Sequence, residues 1–230
     1  MARNQKVEEQ PKGVESIENA LTHTEQYLEK NRKWLLIGVG VLVLLVVGYI
    51  AYSNLYSKPR ELEAQVQAFY AEQQFGKDSF QVALNGDGNN LGFLQLLDDY
   101  SGTKMGNLSR YYAGICYREL GDLDNAIKYL KDYSLEDKML APVALGAIGD
   151  CYVEKGDVST GLSYYSKAID YRENGLTTPI FLLKRGLLYE GMAKWGEALN
   201  DYELIKDSYP RSAQARDIDK FIERVKVLGK

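Results

Sequence analysis

Apolar positions along the chain fall into two kinds of pattern, one continuous and one periodic. The continuous run is Trp34 to Tyr56, which holds no charged residue, and twelve of its residues between Leu35 and Ile50 are Leu, Ile or Val. At about 1.5 Å per residue a helix of this length covers the roughly 30 Å hydrocarbon core of a bilayer. Those twelve side chains alone favour insertion by about 4–7 kcal/mol. Trp34 at one end and Tyr49, Tyr52 and Tyr56 at the other suit the headgroup level, where amphipathic rings collect. A helix apolar on every face is poorly explained as the core helix of a soluble domain. The run predicts a transmembrane signal anchor over 34–56. It is longer than the apolar region of a secretory signal, and Tyr-Ser-Asn-Leu-Tyr-Ser follows it instead of a small-residue cleavage site.

Ahead of the anchor lies a tail, 1–33. Residues 1–13 are polar, carry Pro11 and Gly13, and read as disordered. From there Val14, Ile17, Leu21 and Leu28, with Thr24 in the remaining slot, form a heptad-like stripe on a short amphipathic helix. That stripe fits a helix at the membrane surface or free in solution, and equally a docking or dimerising helix. Lys30, Arg32 and Lys33 precede the anchor closely, against Lys58 and Arg60 after it. The balance places the tail in the cytoplasm and residues 58–230 across the membrane, as a single-pass protein of the inner (plasma) membrane.

Beyond the anchor the pattern becomes periodic. Region 57–103 reads as a leading helix, a loop and a degenerate repeat. Pro59 opens the helix, with Leu62, Val66, Phe69 and Tyr70 on one face, and Gly76 to Asn90 is loop-like around LNGDGNNLG. Asn85, Asp87 and Asn89 have a calcium-loop flavour, but Asn90 and Leu96 stand where such a loop needs Gly and Glu, so a turn between helices is the plainer reading. From Leu91 onward, helix and short turn alternate with internal repetition. Gly114, Gly149 and Gly186 lie 35 and 37 residues apart. A tyrosine follows each (Tyr117, Tyr152, Tyr189), then a small residue (Ala126, Gly161, Ala198), then a large one (Leu130, Tyr165, Tyr202), at identical internal spacing. The small residues predict close helix crossings within a hairpin, and the tyrosines and Leu130 are expected to fill the gaps between hairpins. Gly121-Asp122 and Gly156-Asp157 predict the turns inside hairpins, and Pro142 and Pro179 suit first helical turns.

Composition narrows the chemistry. A net charge of −4 gives no nucleic-acid footprint and no polybasic lipid patch. Tyrosine is frequent, 18 of 230 residues, which suits the seams of stacked helices. The one histidine, His23, lies in the tail, so the region after the anchor offers no histidine for a nucleophile pair or a zinc site. Asp98-Asp99 fall at a helix end as solvated charge. Cys116 and Cys151 occupy equivalent repeat positions, which on neighbouring stacked helices lie about 8–10 Å apart, beyond the reach of a disulfide at about 7 Å between Cα atoms. Free buried thiols are expected. No catalytic residues, cofactor, metal or small-molecule substrate are expected, and the domain reads as non-enzymatic.

The repeat over 104–211 resembles the tetratricopeptide repeat (TPR) family, with Ala113, Ile148 and Arg185 where the consensus prefers Leu, and no Trp opening a unit. The resemblance implies an all-α, right-handed superhelix of helical hairpins. Residues 212–230 look like its capping helix, with Ser212 as N-cap and Ile218, Phe221, Ile222 and Val225 over the last seam. By the family's position pattern, the groove that grips partners is lined by Leu108, Tyr111, Ile115 and Arg118, then Val143, Gly146, Asp150 and Val153, then Ile180, Leu183, Leu187 and Glu190. These are mostly apolar, which disfavours a clamp for a C-terminal carboxylate and leaves two readings: an apolar partner segment, or self-occupation by the chain's own cap or loop. A single anchor followed by a small TPR domain is further similar to the YfgM-like ancillary subunits of the bacterial Sec translocon. That resemblance implies a periplasmic domain and protein partners among translocon subunits and periplasmic chaperones. A scaffold for envelope assembly or cell division, and a cytosol-facing targeting receptor, are the other readings of the same layout.

Overall fold

The computed structural model describes residues 12–230, with side chains described for Leu28 and from Lys30 onward. Every regular element among the described residues is helical. The chain divides into two units, Met1–Lys58 and Pro59–Lys230. The first holds α1 (Lys12–Tyr52) and a π-helical turn, Ser53–Ser57. Helix starts at Lys12, so the expected disorder of residues 1–13 stops short of its last two, and residues 1–11 lie outside the described residues. The stripe from Val14 to Tyr27 and His23 are helical in backbone, but their side chains lie outside the described ones. From Trp34 to Tyr56 nearly every side chain is exposed, Leu55 and Trp34 the most fully of the large apolar ones. The stretch from Lys30 is long and apolar enough to cross a membrane, and its apolar window is not buried against anything. Left in water, such a surface would be unfavourable along its whole length.

The second unit begins with α2 (Lys58–Phe75), α3 (Phe80–Asn85) and α4 (Phe93–Asp99). Two expectations change here. The loop over 76–90 contains a helix, α3, because Ala83 and Leu84 can be fully buried beside Phe93 and Leu96. Helix α2 buries its alanines, Ala64, Ala68 and Ala71, and leaves Leu62, Val66 and Phe69 exposed. The LNGDGNNLG segment is a turn: Gly86 and Gly88 adopt positive φ, and Asp87 accepts hydrogen bonds from the backbone N–H groups of Asn89 and Asn90.

Three helical hairpins follow: α5 (Lys104–Glu119) with α6 (Leu123–Asp132), α7 (Leu140–Glu154) with α8 (Val158–Asp170), and α9 (Thr178–Gly191) with α10 (Trp195–Ser208). The first two turn as the sequence predicts. Gly121 and Gly156 have φ near +80°, and Asp122 and Asp157 cap the next helix by accepting from the N–H groups of Asn125 and Thr160. Pro142 and Pro179 sit in the first turns of α7 and α9.

Repeat glycines exist to let one large side chain in. A Cβ on Gly114 would stand 2.5 Å from Leu130, on Gly149 2.7 Å from Tyr165, and on Gly186 2.5 Å from Tyr202. Each pair belongs to one hairpin, so these large residues fill the hairpin's own crossing as well as part of the expected gap between hairpins: Leu130 shares a core with Ala144 and Ile148 of the second hairpin, and Tyr165 stacks on Phe181 of the third. Tyr117 stacks on Tyr129 and Tyr152 on Tyr164, at 5.2 and 5.5 Å between ring centres. In the third hairpin the position after Tyr189 that would hold the partner ring holds Asp201, which forms a two-toothed ion pair with Arg185 at 2.9 and 2.6 Å. This pair explains the departure from consensus at 185.

The chain ends in a 3-10 turn, Gln214–Asp217, and α11 (Ile218–Leu228). Ser212 accepts from Ala215 N–H and so caps the 3-10 turn, while Asp217 stands at the N-cap of α11; the capping helix thus starts later than expected. Ile218, Ile222 and Val225 are buried against α10, and Phe221 packs on Tyr202 at 5.4 Å. Cys116 and Cys151 are free and buried.

Candidate functional site

The residues assigned to the groove lie on the first helix of each hairpin, α5, α7 and α9. Leu108, Tyr111, Ile115 and Arg118 are half-buried on α5: Leu108 packs beside Phe93 and Met105, and Tyr111 and Ile115 beside Ile127 and Ile148. Val143, Asp150 and Val153 are half-buried on α7. Gly146 offers no surface at all. Phe181 lies over it so closely that a Cβ there would stand 1.8 Å from the ring, which takes this position out of any groove. On α9, Ile180 and Leu183 pack against the core of the third hairpin, and Leu187 is 42% exposed.

Polar members of the set are joined unevenly. Asp150 is the hub: its carboxylate accepts from Arg118 at 3.2 Å, through both oxygens from Lys184 Nζ at 2.7 Å, and from the Tyr165 hydroxyl at 2.6 Å. These bonds link α5, α7 and α9 in series. Burial first, and the Asp150 carboxylate second, push the Tyr165 hydroxyl far above the ordinary tyrosine range. Glu190 does not join them. It accepts from Tyr202 at 2.9 Å and pairs with Arg224 of α11 at 2.6 Å, so the cap occupies it. Lys184 is not singled out by the sequence, and Tyr165 is legible there only as a large repeat position, outside the groove set. Lys184 stands beside the assigned Leu183, at a position held by Tyr112 and Ala147 in the earlier units, so no repetition marked it.

The chemistry available is that of contact. Apolar side chains half-covered by their own hairpins flank a line of paired charge in which Arg118 and Lys184 share Asp150 and Arg118 also pairs with Glu119. An open cavity of about 610 Å³ lies beside Leu108, bordered by Thr103, Arg110, Tyr133 and Leu140. The N–H groups at the start of α5 do not serve it as an anion site, because the Glu61 carboxylate already accepts from Lys104 and Met105. Among the described residues no group of three or more His, Cys, Asp or Glu could hold a metal ion.

The tetratricopeptide repeat model matches residues 108–134 and 181–212, which are the first and third hairpins. The second hairpin, between them, shares their glycine and tyrosine spacing. The chain therefore carries tetratricopeptide-type repeats, whose stacked surfaces serve as scaffolds for protein contacts. Among solved structures, one titled "Crystal structure of MamA protein" is similar with a TM-score of 0.48 at 16% identity, covering 72% of this chain and 87% of that one. No curated protein matches the chain.

Proposed function

We propose that this chain is a single-span membrane protein whose repeats form an interaction module on the periplasmic side, assisting protein export or folding beside the Sec translocon. The observation that carries the reading is the uncharged, almost entirely exposed run at Trp34–Tyr56 ahead of a region that carries tetratricopeptide-type repeats. Three cations before the run against two after it favour a cytoplasmic tail. The tether confines the domain to the membrane surface and raises its effective concentration toward membrane-bound partners. Similarity to the YfgM-like subunits supplies the translocon as the site of action. The partner-facing residues are Leu187, the most exposed of the assigned set, with Ile180 on the same helix, Val143 and Val153 on α7, and Leu108, Tyr111 and Ile115 on α5.

The test is a photo-cross-linker at Leu187 in intact membranes, read with a reporter fused after Lys230. Adducts to translocon subunits or periplasmic chaperones, with a reporter active outside the cytoplasm, support the reading. Adducts to envelope-assembly proteins point to the scaffold, and a reporter active in the cytoplasm to the targeting receptor. Leu187→Asp, in a chain without the cross-linker, should abolish co-purification of the same partners while leaving helicity unchanged; Leu183→Asp is a poor substitute because that side chain belongs partly to the core.

A further inference from the structure

Helix α2 is apolar on two opposite sides. One side is small: Ala64, Ala68 and Ala71 are fully buried against the domain. The other is large: Leu62, Val66 and Phe69 are 63, 67 and 68% exposed. At 3.6 residues per turn the two rows point about 160° apart. A surface helix normally turns its larger apolar side chains inward, so this arrangement leaves the better hydrophobic row without a partner from its own domain.

The row has the spacing of a coiled-coil seam. Leu62, Val66 and Phe69 follow the d–a–d sequence of a heptad, with Pro59 and Gln73 at the flanking a positions. On that register Lys58 falls at a g position and Glu63 at the e position five residues later. This is the separation at which g of one strand meets e of its neighbour in a parallel pair. Both side chains are exposed; Glu63 also has the Tyr100 hydroxyl as a neighbour.

We propose that α2 pairs with α2 of a second copy of this chain, parallel and in register, through Leu62, Val66 and Phe69 and two symmetric Lys58–Glu63 ion pairs. The g-to-e spacing of Lys58 and Glu63 gives the direction, and the proposal rests on the anchoring reading above for its concentration: confinement to one membrane brings copies together. A seam of two heptads suffices because Ala64, Ala68 and Ala71 already hold α2 helical against the domain, so pairing does not have to order it. A lipid surface fits the row less well. Its exposed flanks carry one cation, Lys58, beside Glu63, Gln65 and Gln67, whereas a helix lying on a membrane presents several Lys and Arg there, and Arg60 is turned to the Asp99 carbonyl.

The test uses the full chain in phospholipid vesicles. Val66→Cys should oxidise to a disulfide-linked dimer, while Gln67→Cys and the wild type, whose own thiols are buried, should not. In the Val66→Cys background, Glu63→Lys should lower the linked fraction about fivefold through two exposed pairs, and Lys58→Glu added to it should restore linkage. Val66→Cys remaining monomeric would overturn the proposal. In that event Phe69→Trp, compared with wild type in brominated lipid, identifies the occupant: extra quenching means a membrane-bound row, and none means a bare one. Resistance to carbonate extraction reads the anchor separately, and a chain released by carbonate yet still linked through Val66→Cys refutes the anchor while supporting the pair.

Discussion

Lys184 on α9 lies 2.7 Å from both carboxylate oxygens of Asp150 on α7, tying one hairpin to the previous one across their boundary. The bond is one of several on that carboxylate, so its two ends are unequal. Asp150→Leu leaves Lys184 without an acid, Arg118 with Glu119 alone and Tyr165 without an acceptor; it should cost about 1–3 kcal/mol. Lys184→Met should cost under about 1 kcal/mol, because Lys184 is more than a third exposed and Arg118 and Tyr165 still serve Asp150. Urea unfolding of the two variants checks this. Equal losses would mean that the Lys184 bond alone carries the contribution of Asp150, which would then not be a hub.

The Arg185–Asp201 pair is a different case, since Asp201 is only 6% exposed in its side chain. Arg185→Leu strands a buried carboxylate and should lower stability by about 3–5 kcal/mol. Arg185→Leu combined with Asp201→Leu should recover most of that loss, because an apolar pair removes the desolvation of both charges. Thermal melts of the single and double variants decide it, and a double variant no better than the single would contradict the pairing.

Glycine positions separate by what a methyl group would meet. Gly146→Ala drives Cβ into Phe181 and should destabilise by about 1–3 kcal/mol. Gly149→Leu meets Tyr165 and should behave likewise. Gly191→Ala meets nothing within 4 Å and should be neutral or stabilising by up to about 1 kcal/mol. Chemical denaturation midpoints at constant m-value provide the comparison.

Alkaline pH should weaken the fold. Burial pushes the Cys116 thiol up to about 12 and the Cys151 thiol up to about 11, from an ordinary value of 9.0. Burial, and then a carboxylate neighbour, raises the Tyr165 and Tyr202 hydroxyls as well. Each raised group binds its proton more tightly when folded, so its contribution is complete below the unfolded value and is lost as pH rises through the folded one. Unfolding free energy should be level up to about pH 9 and fall between about 9 and 12, less steeply in Cys116→Ala/Cys151→Ala. Thiol labelling at pH 8 should require denaturation first.

Much of this was legible in the order of residues. An uncharged run of one bilayer's thickness is a local property, and so are the glycine–aspartate turns and the recurrence of Gly114, Gly149 and Gly186, because each is fixed by neighbours a few residues away or by a repeat of its own kind. Helical hairpins followed from that recurrence alone. The candidate face was legible only as a set of positions, and the pairings within it were not.

What packs on what was decided in three dimensions. Periodicity identifies an apolar face but not which face meets the domain, and on α2 the small row won because closely packed alanines leave room for Phe93, Leu96 and Tyr100. Gly146 had the spacing of a groove residue, yet Phe181 from the next hairpin lies on it. Lys184, Tyr165 and Arg224 reach their carboxylates from other helices, and no spacing along one helix announces a bond made by the next. The sequence by itself determined the anchor-like run, the helices and their repetition, since those depend on short-range periodicity. Tertiary packing determined which side chains are spent inside the repeats and which are left outward, since that depends on volumes and charges contributed by residues about 35 positions away.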